Sequence, residues 1–201
     1  QESSKRAAEV VLEAAMKAGA PKDIIQWIEV PSIEATKQLM NHKGIALVLA
    51  TGGSGMVKSA YSTGKPALGV GPGNVPSYIE KTAHIKRAVN DIIGSKTFDN
   101  GMICASEQVV VIDKEIYKDV TNEFKAHQAY FVKKDELQRL ENAIMNEQKT
   151  GIKPDIVGKS AVEIAELAGI PVPENTKLII AEISGVGSDY PLSREKIGRA
   201  S

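Results

Sequence analysis

A single cysteine, set in a loop, is the residue of this sequence best suited to covalent chemistry. Cys104 follows the polar turn Asp99–Gly101 and precedes a predicted strand that starts at Gln108. A thiolate attacks carbonyl carbon readily, and a neighbouring backbone N–H can hold the oxyanion that forms. A lone cysteine is more often an inert, buried apolar residue. The residues alone leave both interpretations open, and the loop position after a polar turn is an argument for the nucleophile.

A glycine-rich loop, Thr51–Gly55, is the second candidate site. It lies between the apolar run Ile45–Ala50 and a predicted helix, where free backbone N–H groups and the helix dipole attract an anion such as a pyrophosphate. Glycine lets the backbone approach a ligand without a Cβ in the way. The loop matches neither G-x-G-x-x-G nor G-x-x-x-x-G-K-[ST], so a tight strand-to-helix turn explains it equally well.

The histidines indicate no metal chemistry. His42, His84 and His127 fall at the end, the start and the middle of predicted helices, without the spacing of metal ligands and without a second cysteine to join them. We interpret all three as surface or capping residues and expect no zinc site.

The elements that must position these residues alternate between helix and strand. In the first part of the chain we predict helices over 4–17, 33–41 and 54–62, with Ser4 and Ser32 as N-caps, and strands over 26–30, 45–50 and 67–70. Short links between strand and helix indicate consecutive right-handed βαβ units, and therefore a parallel sheet covered by helices. This is the architecture of a nucleotide-binding domain.

The segment Gly71–Pro76 interrupts the alternation. Its two prolines and two glycines cannot continue a helix or a central strand, so we place a domain boundary there. Beyond it an α/β pattern resumes, with helices predicted over 84–96, 114–125, 135–146 and 160–168, the last capped by Ser160, and strands over 108–112 and 177–183.

Composition limits the partners. The 201 residues carry 25 basic and 25 acidic side chains, so the zero net charge provides no field to attract nucleic acid or an anionic membrane. The longest apolar run, Ile45–Ala50, is far shorter than the roughly 20 residues that cross a bilayer. One cysteine allows no internal disulfide, which is consistent with the cytoplasm.

Four segments resemble the CoA-acylating aldehyde dehydrogenase half of bifunctional aldehyde-alcohol dehydrogenases. They are Leu49–Tyr61, Gly64–Pro76, Ser95–Gln108 and Ala165–Lys177, and the resemblance runs from about Ser3 to Lys196. It implies an α/β fold of aldehyde dehydrogenase type. Residues 1–72 would form the C-terminal part of a Rossmann-like, parallel-sheet NAD-binding domain. Residues 73–201 would form the N-terminal part of the catalytic domain.

The resemblance also implies roles for single residues. It makes Cys104 the nucleophile, puts Gly53 beside the cofactor pyrophosphate and Gly71 near the nicotinamide, and matches Glu195 to a glutamate that holds the nicotinamide ribose. Val70 stands where hydrolytic relatives carry a water-activating glutamate. Without that base, water competes poorly for the thioester, and transfer to coenzyme A is favoured.

The implied reaction is the reversible, NAD-dependent conversion of acetyl-CoA to acetaldehyde through a Cys104 thioester. The resemblance implies a larger aldehyde-alcohol dehydrogenase that forms homo-oligomers, and we expect these 201 residues alone to have little or no dehydrogenase activity. Two alternatives stay open. One is a non-catalytic binding or assembly module with exposed sheet edges. The other is a phosphorylating semialdehyde reductase, which exchanges the acyl group with phosphate.

Overall fold

A computed structural model describes residues 2–71, 73–187 and 189–194. The helices are α1 (Glu2–Lys17), α2 (Ile33–Asn41), α3 (Ser54–Tyr61), α4 (Ile85–Thr97), α5 (Tyr117–Ala126), α6 (Leu137–Ile144) and α7 (Ala161–Leu167). The strands are β1 (Val48–Thr51), β2 (Ala67–Val70), β3 (Pro76–Ile79), β4 (Val109–Ile112), β5 (Ala129–Phe131) and β6 (Leu178–Ile180). Helices and strands alternate over most of the chain, as the sequence predicts.

The strands of the described residues pair two by two, in the order β1–β2, β3–β4 and β5–β6. The second and third pairs are parallel. In the first pair the N–H of Val48 donates to Pro66 and that of Gly52 to Val70, each at 3.0 Å. Both bonds advance in the same direction along the two strands, as parallel pairing requires. The predicted parallel α/β class is confirmed.

Two compact units make up the chain: Gln1–Ala50 with Met56–Gly69, and Thr51–Gly55 with Val70–Ser201. These units are defined by packing, whereas the proposed division into 1–72 and 73–201 concerns cofactor and catalytic domains. That division stays a prediction.

The first unit has a small core in which β2 lies very close to α3. Its buried residues are Met40, Val48, Ala50 and Ala60. A Cβ at Gly69 would come within 2.6 Å of the Val57 side chain and 2.7 Å of the Tyr61 ring, so only glycine allows this approach. The strand predicted over 45–50 begins only at Val48, and although the run is apolar throughout, Leu49 is 70% exposed.

The second unit has two apolar clusters. One joins the β3–β4 pair to α4 and α5 through seven buried residues, Ile79, Val89, Ile92, Ile93, Val120, Phe124 and Ala129. The other gathers around α6 and α7, with Leu140, Ile144, Met145, Ile156, Ala165, Ala168, Ile170 and Leu192. The predicted cap of α7 is confirmed, since Ser160 and Glu163 form a reciprocal capping box.

Two predictions near the N-terminus are wrong. The helix α1 already includes Glu2, so Ser4 lies inside its first turn and does not cap it. The strand predicted over 26–30 is absent from the described residues, where no strand pairs with this segment. The indole N–H of Trp27 donates to Glu29 at 3.1 Å, and Val30 is 81% exposed.

Two short strands, β3 and β5, were not predicted from the sequence. β3 begins at Pro76, inside the segment that was expected only to break the alternation, because proline is tolerated at the first position of a strand. β5 has only three residues, too few for a periodic signal, and depends on its pairing with β6. Tertiary pairing therefore creates both strands.

A buried carboxylate stabilises the turn between β5 and α6. Glu136 is 2% exposed and accepts hydrogen bonds from the Lys133 backbone N–H and the Tyr130 hydroxyl, each at 2.9 Å. The bond from Lys133 is the largest cause that lowers the pKa of Glu136 below its usual value, with smaller contributions from Tyr130 and nearby cations, while burial opposes the shift.

We expect Glu136→Gln to remove an acid-sensitive part of the stability. A carboxylate whose pKa is lowered on folding stabilises the protein above its unfolded pKa, and that stabilisation is lost as the pH falls through the folded pKa. Thermal unfolding between about pH 6 and pH 3 should therefore show a flatter pH dependence for Glu136→Gln than for wild type. The exposed Glu174→Gln is the control, and identical slopes for wild type and Glu136→Gln would contradict this assignment.

Candidate active site

The loop that carries Cys104 begins with three residues in the left-handed backbone region. Asp99, Asn100 and Gly101 follow α4 with φ values of 49°, 50° and 72°. Aspartate, asparagine and glycine are the residues that tolerate this conformation best. The predicted polar turn is confirmed, and it redirects the chain from the end of α4 towards the start of β4.

Contacts with Gly158 hold this turn from outside. The Asn100 side-chain amide donates to the Gly158 carbonyl at 2.7 Å. A Cβ added to Gly158, whose φ is +79°, would lie 3.0 Å from the Met102 sulfur. One hydrogen bond and one close packing contact therefore fix the loop two to four residues before Cys104.

A buried serine closes the loop on the other side of Cys104. The Ser106 hydroxyl, 1% exposed, donates to the Ile103 carbonyl at 2.5 Å, and the Ser106 backbone N–H donates to the same oxygen at 3.0 Å. Cys104 lies within this tight turn and is exposed. The prediction that a lone cysteine would be buried is therefore wrong here, because the turn presents the thiol to solvent.

A lysine that was not predicted as a site residue packs against the loop. A Cβ at Gly101 would meet the Lys96 carbonyl at 3.0 Å and its ammonium at 3.2 Å, so Lys96 packs directly against the turn. Burial lowers the pKa of Lys96, and the negative charge of Glu107 partly opposes that shift. Both residues belong to the segment Ser95–Gln108, which resembles the corresponding segment of the family. No other feature of the sequence singles them out.

The glycine-rich loop leads from β1 into α3. Nothing lies within 4 Å of a Cβ built at Gly53, which leaves open space at the N-terminus of the helix. One expected donor is already used, because the Gly52 N–H bonds to the Val70 carbonyl at 3.0 Å. That bond places the loop beside the residue that precedes Gly71.

Parallel pairing of β3 with β4 brings the segments of Gly71 and Cys104 to the same end of the two strands. Pro76 is the register partner of Val109, and Gly71 and Cys104 each lie five residues before their partner of this pair. The Gln108 N–H also donates to the Val75 carbonyl at 3.4 Å. Among the described residues, no hydrogen bond links Cys104 directly to Gly53 or Gly71.

The remaining site predictions separate into two groups. Glu195 lies outside the described residues. The histidines behave as expected of capping residues. His42 accepts from the Gly44 N–H, His84 accepts from the Arg87 N–H, and His127 caps the end of α5 and does not lie within it.

Residues 2–71, 73–187 and 189–194 contain neither a cluster of metal ligands nor a membrane-spanning helix. No three His, Cys, Asp or Glu side chains cluster as a metal site would need. No helix in that part of the chain has the length and apolar character needed to cross a bilayer.

The parallel α/β fold, the glycine loop ahead of α3 and the exposed cysteine ahead of β4 define the class. The aldehyde dehydrogenase family matches residues 1–153, and the chain belongs to that family. It is 54% identical to an aldehyde-alcohol dehydrogenase of Streptococcus pneumoniae serotype 4 over 204 aligned residues. This match covers 98% of the chain but only 23% of that relative's length.

Solved structures show the same fold. An acetylating aldehyde dehydrogenase from Geobacillus thermoglucosidasius superposes with a TM-score of 0.89 at 50% identity, over 96% of this chain and 42% of that one. A Rhodopseudomonas palustris propionaldehyde dehydrogenase, solved with bound CoA and an acylated cysteine, gives a TM-score of 0.77 at 32% identity, over 89% of this chain and 41% of that one.

We expect Gly158→Ala to change the reactivity of Cys104. The added Cβ would press on Met102 and strain a residue with positive φ, which costs on the order of 1 kcal/mol or more and shifts the loop. The rate of modification by iodoacetamide, measured by mass spectrometry, should differ from wild type. Because the chain has one cysteine, the label reports on this site alone.

Gly187→Ala is the matched control. Its φ is +109°, yet nothing lies within 4 Å of its Cβ, so it introduces comparable strain far from any contact with Met102. Both variants should lose stability, and only Gly158→Ala should alter the labelling rate. Equal labelling rates in wild type and both variants would contradict a role for Gly158 in holding the loop.

Proposed function

We propose that this chain carries the nucleophile of a CoA-acylating aldehyde dehydrogenase, which interconverts acetyl-CoA and acetaldehyde with Cys104 as the acyl carrier. The observation that carries the proposal is the exposed thiol held in an ordered turn. The propionaldehyde dehydrogenase with bound CoA and an acylated cysteine supports this chemistry in a protein of the same fold.

The turn around Cys104 offers donors for the charge that develops on the substrate. When the thiolate adds to a carbonyl carbon, the carbonyl oxygen becomes an oxyanion that needs hydrogen-bond donors. Within the described residues, no acceptor takes the backbone N–H of Cys104 or of Ala105, whereas the N–H groups of Met102 and Ser106 are both engaged. We therefore assign the oxyanion to the free N–H groups at 104 and 105.

The glycine loop fits a dinucleotide. The open space at Gly53 lets a pyrophosphate approach the backbone at the start of α3, and a Cβ would narrow that approach. Gly53 would hold the pyrophosphate, Gly71 would lie near the nicotinamide, and Glu195 would hold its ribose. NAD, when bound, accepts or supplies the hydride.

Water is a poor competitor for the acyl group in this site. The residue aligned with the water-activating glutamate of hydrolytic relatives is Val70, whose carbonyl accepts from Gly52 and whose side chain has no base. A thioester without a nearby general base hydrolyses slowly, so coenzyme A is the proposed acyl acceptor.

The chain spans about a quarter of the length of the curated relative, so the activity of a whole protein is part of the proposal. We propose that it operates in the cytoplasm, within a homo-oligomer. Residues 1–72 would belong to its cofactor domain and 73–201 to its catalytic domain.

Incubating the folded chain with acetyl-CoA should place one acetyl group on Cys104, because the reverse half-reaction needs only the thiol, its turn and the acyl donor. Intact-mass measurement detects the group, and Cys104→Ser should not acquire it. The chain unfolded in urea provides the rate of an unassisted thiol, which the folded chain should exceed.

Acetyl phosphate tests the alternative acyl partner in the same assay. Faster acylation by acetyl phosphate than by acetyl-CoA would favour a phosphorylating semialdehyde reductase. Equal rates in the folded and the unfolded chain would contradict a nucleophilic role for Cys104.

Gly53→Ala should weaken NADH binding by about tenfold or more, because the new Cβ occupies the space proposed for the pyrophosphate. Gly94→Ala is the control, since its Cβ also meets nothing within 4 Å and it lies in α4, outside the glycine-rich loop. NADH fluorescence measures both affinities, and the same titration with NADPH determines the preferred nucleotide. Equal affinities in the two variants would remove Gly53 from the site.

A further inference from the structure

Asn74 joins two segments of the second unit that are 119 positions apart in the sequence. Its side-chain amide donates a hydrogen bond to the Ser193 carbonyl oxygen at 2.6 Å. A carbonyl oxygen can only accept, so the amide nitrogen of Asn74 faces Ser193. Asn74 belongs to the segment Gly71–Pro76, and Ser193 ends the short helical turn that begins at Pro191. One side chain therefore connects the segment of Gly71 to this turn.

The turn that accepts this bond is ordered by contacts of its own. The Ser193 hydroxyl accepts from the Gly187 N–H at 3.1 Å and donates to the Tyr190 carbonyl at 2.7 Å. Ser193 is buried, and Leu192 belongs to the apolar cluster around α6 and α7. The turn is thus anchored in the core of the second unit, and the bond from Asn74 anchors the Gly71 segment to it.

The residue that follows Asn74 has a strained backbone. Val75 has a φ of 32°, which β-branched residues rarely adopt, and it precedes Pro76, which favours extended backbone at the preceding position. A strained conformation persists only where neighbouring contacts fix it, and it is typical of functional sites. Two such contacts are the bond from Asn74 to Ser193 and a bond of 3.4 Å from the Gln108 N–H to the Val75 carbonyl.

The two segments joined by Asn74 lead to the two residues proposed for the nicotinamide half of the cofactor. Gly71 lies three positions before Asn74, and Glu195 follows Ser193 by two positions. Two residues of chain span at most about 7 Å. Fixing the Ser193 carbonyl therefore limits where the chain beyond it can reach.

We propose that Asn74 is a positioning residue for the nicotinamide half of the cofactor site, where it holds the Gly71 segment and the chain that leads to Glu195 beside each other. This role rests on the proposed function, which assigns the nicotinamide to Gly71 and its ribose to Glu195. The amide oxygen of Asn74 is buried without a hydrogen-bond partner. The side chain therefore acts through the two segments that it joins and does not touch the cofactor.

Two ligands separate this role from a general effect on stability. NADH carries the nicotinamide and its ribose, whereas ADP keeps the diphosphate proposed for Gly53 and lacks both. Asn74→Asp preserves the shape of the side chain, but its ionised carboxylate cannot donate to the Ser193 carbonyl. Measured by calorimetry at pH 8, Asn74→Asp should weaken NADH binding by about tenfold or more and leave ADP binding within about twofold of wild type.

Asn41→Asp is the matched control. Asn41 also donates its amide to a backbone carbonyl, that of Lys37 at 2.8 Å, but it lies in α2 of the first unit. This variant should leave both affinities within about twofold of wild type. Thermal unfolding shows whether each variant is folded. Asn74→Ala removes the donor without adding a charge and should reproduce the result of Asn74→Asp.

Hydrogen exchange, followed by NMR, measures the order of the turn directly. The N–H groups of Tyr190 and Ser193 donate to the carbonyls of Gly187 and Tyr190, at 3.2 Å and 2.9 Å. Both amides should exchange faster by about tenfold or more in Asn74→Asp than in wild type. In wild type, which needs no substitution, NADH should slow their exchange and ADP should not.

Three results would overturn the proposal. The first is unchanged exchange of Tyr190 and Ser193 in Asn74→Asp, which would mean that the turn is held without Asn74. The second is an NADH affinity that falls no more than the ADP affinity, which would reduce Asn74 to a general stabilising role. The third is exchange in wild type that bound NADH does not slow. Failure of the proposed function differs, because wild type would then bind neither ligand, while exchange in Asn74→Asp would still decide whether Asn74 holds the turn.

Discussion

The parallel register between β3 and β4 is the constraint on which the candidate site depends. Pairing Pro76 with Val109 aligns two segments that are distant in sequence, so that Gly71 and Cys104 enter the strand pair from the same end. The hydrogen bond from the Gly52 N–H to the Val70 carbonyl places the glycine loop next to the residue that precedes Gly71. A shift of this register by one residue would turn every β4 side chain to the opposite face and displace the cysteine loop with it.

The strand register sets the position of the Cys104 loop, and local hydrogen bonds then fix its conformation. The left-handed turn at 99–101, the hydrogen bond from Asn100 to Gly158 and the buried Ser106 hydroxyl leave the Cys104 loop few other conformations. Catalysis by a nucleophile needs this order, because a thiol and its oxyanion donors are useful only when they are held in a fixed geometry. The half-buried Lys96, which packs against the turn, places a cationic side chain close to the loop.

Some buried polar side chains of the second unit lack hydrogen-bond partners, and they line a cavity between β4 and β6. Side chains of β5 and β6 pack against the apolar cluster of α4 and α5, yet among the described residues no strand pairing joins β3–β4 to β5–β6, and buried polar atoms of Glu107 and Gln108 lack hydrogen-bond partners. Buried polar groups in folded proteins are normally satisfied.

The sequence by itself determined the α/β class, most helices and the capping residues Ser32, His84 and Ser160, and it singled out Cys104 as the candidate nucleophile. These depend on residue type and short spacing, which helix periodicity, caps and the cysteine segment express locally. Only the tertiary structure decided that β3 and β5 are strands, that residues 26–30 are not, and that Leu49 is exposed. A strand of three or four residues forms because a partner strand lies beside it, and the burial of a side chain depends on which surfaces of the fold pack together. A local sequence pattern therefore predicts neither.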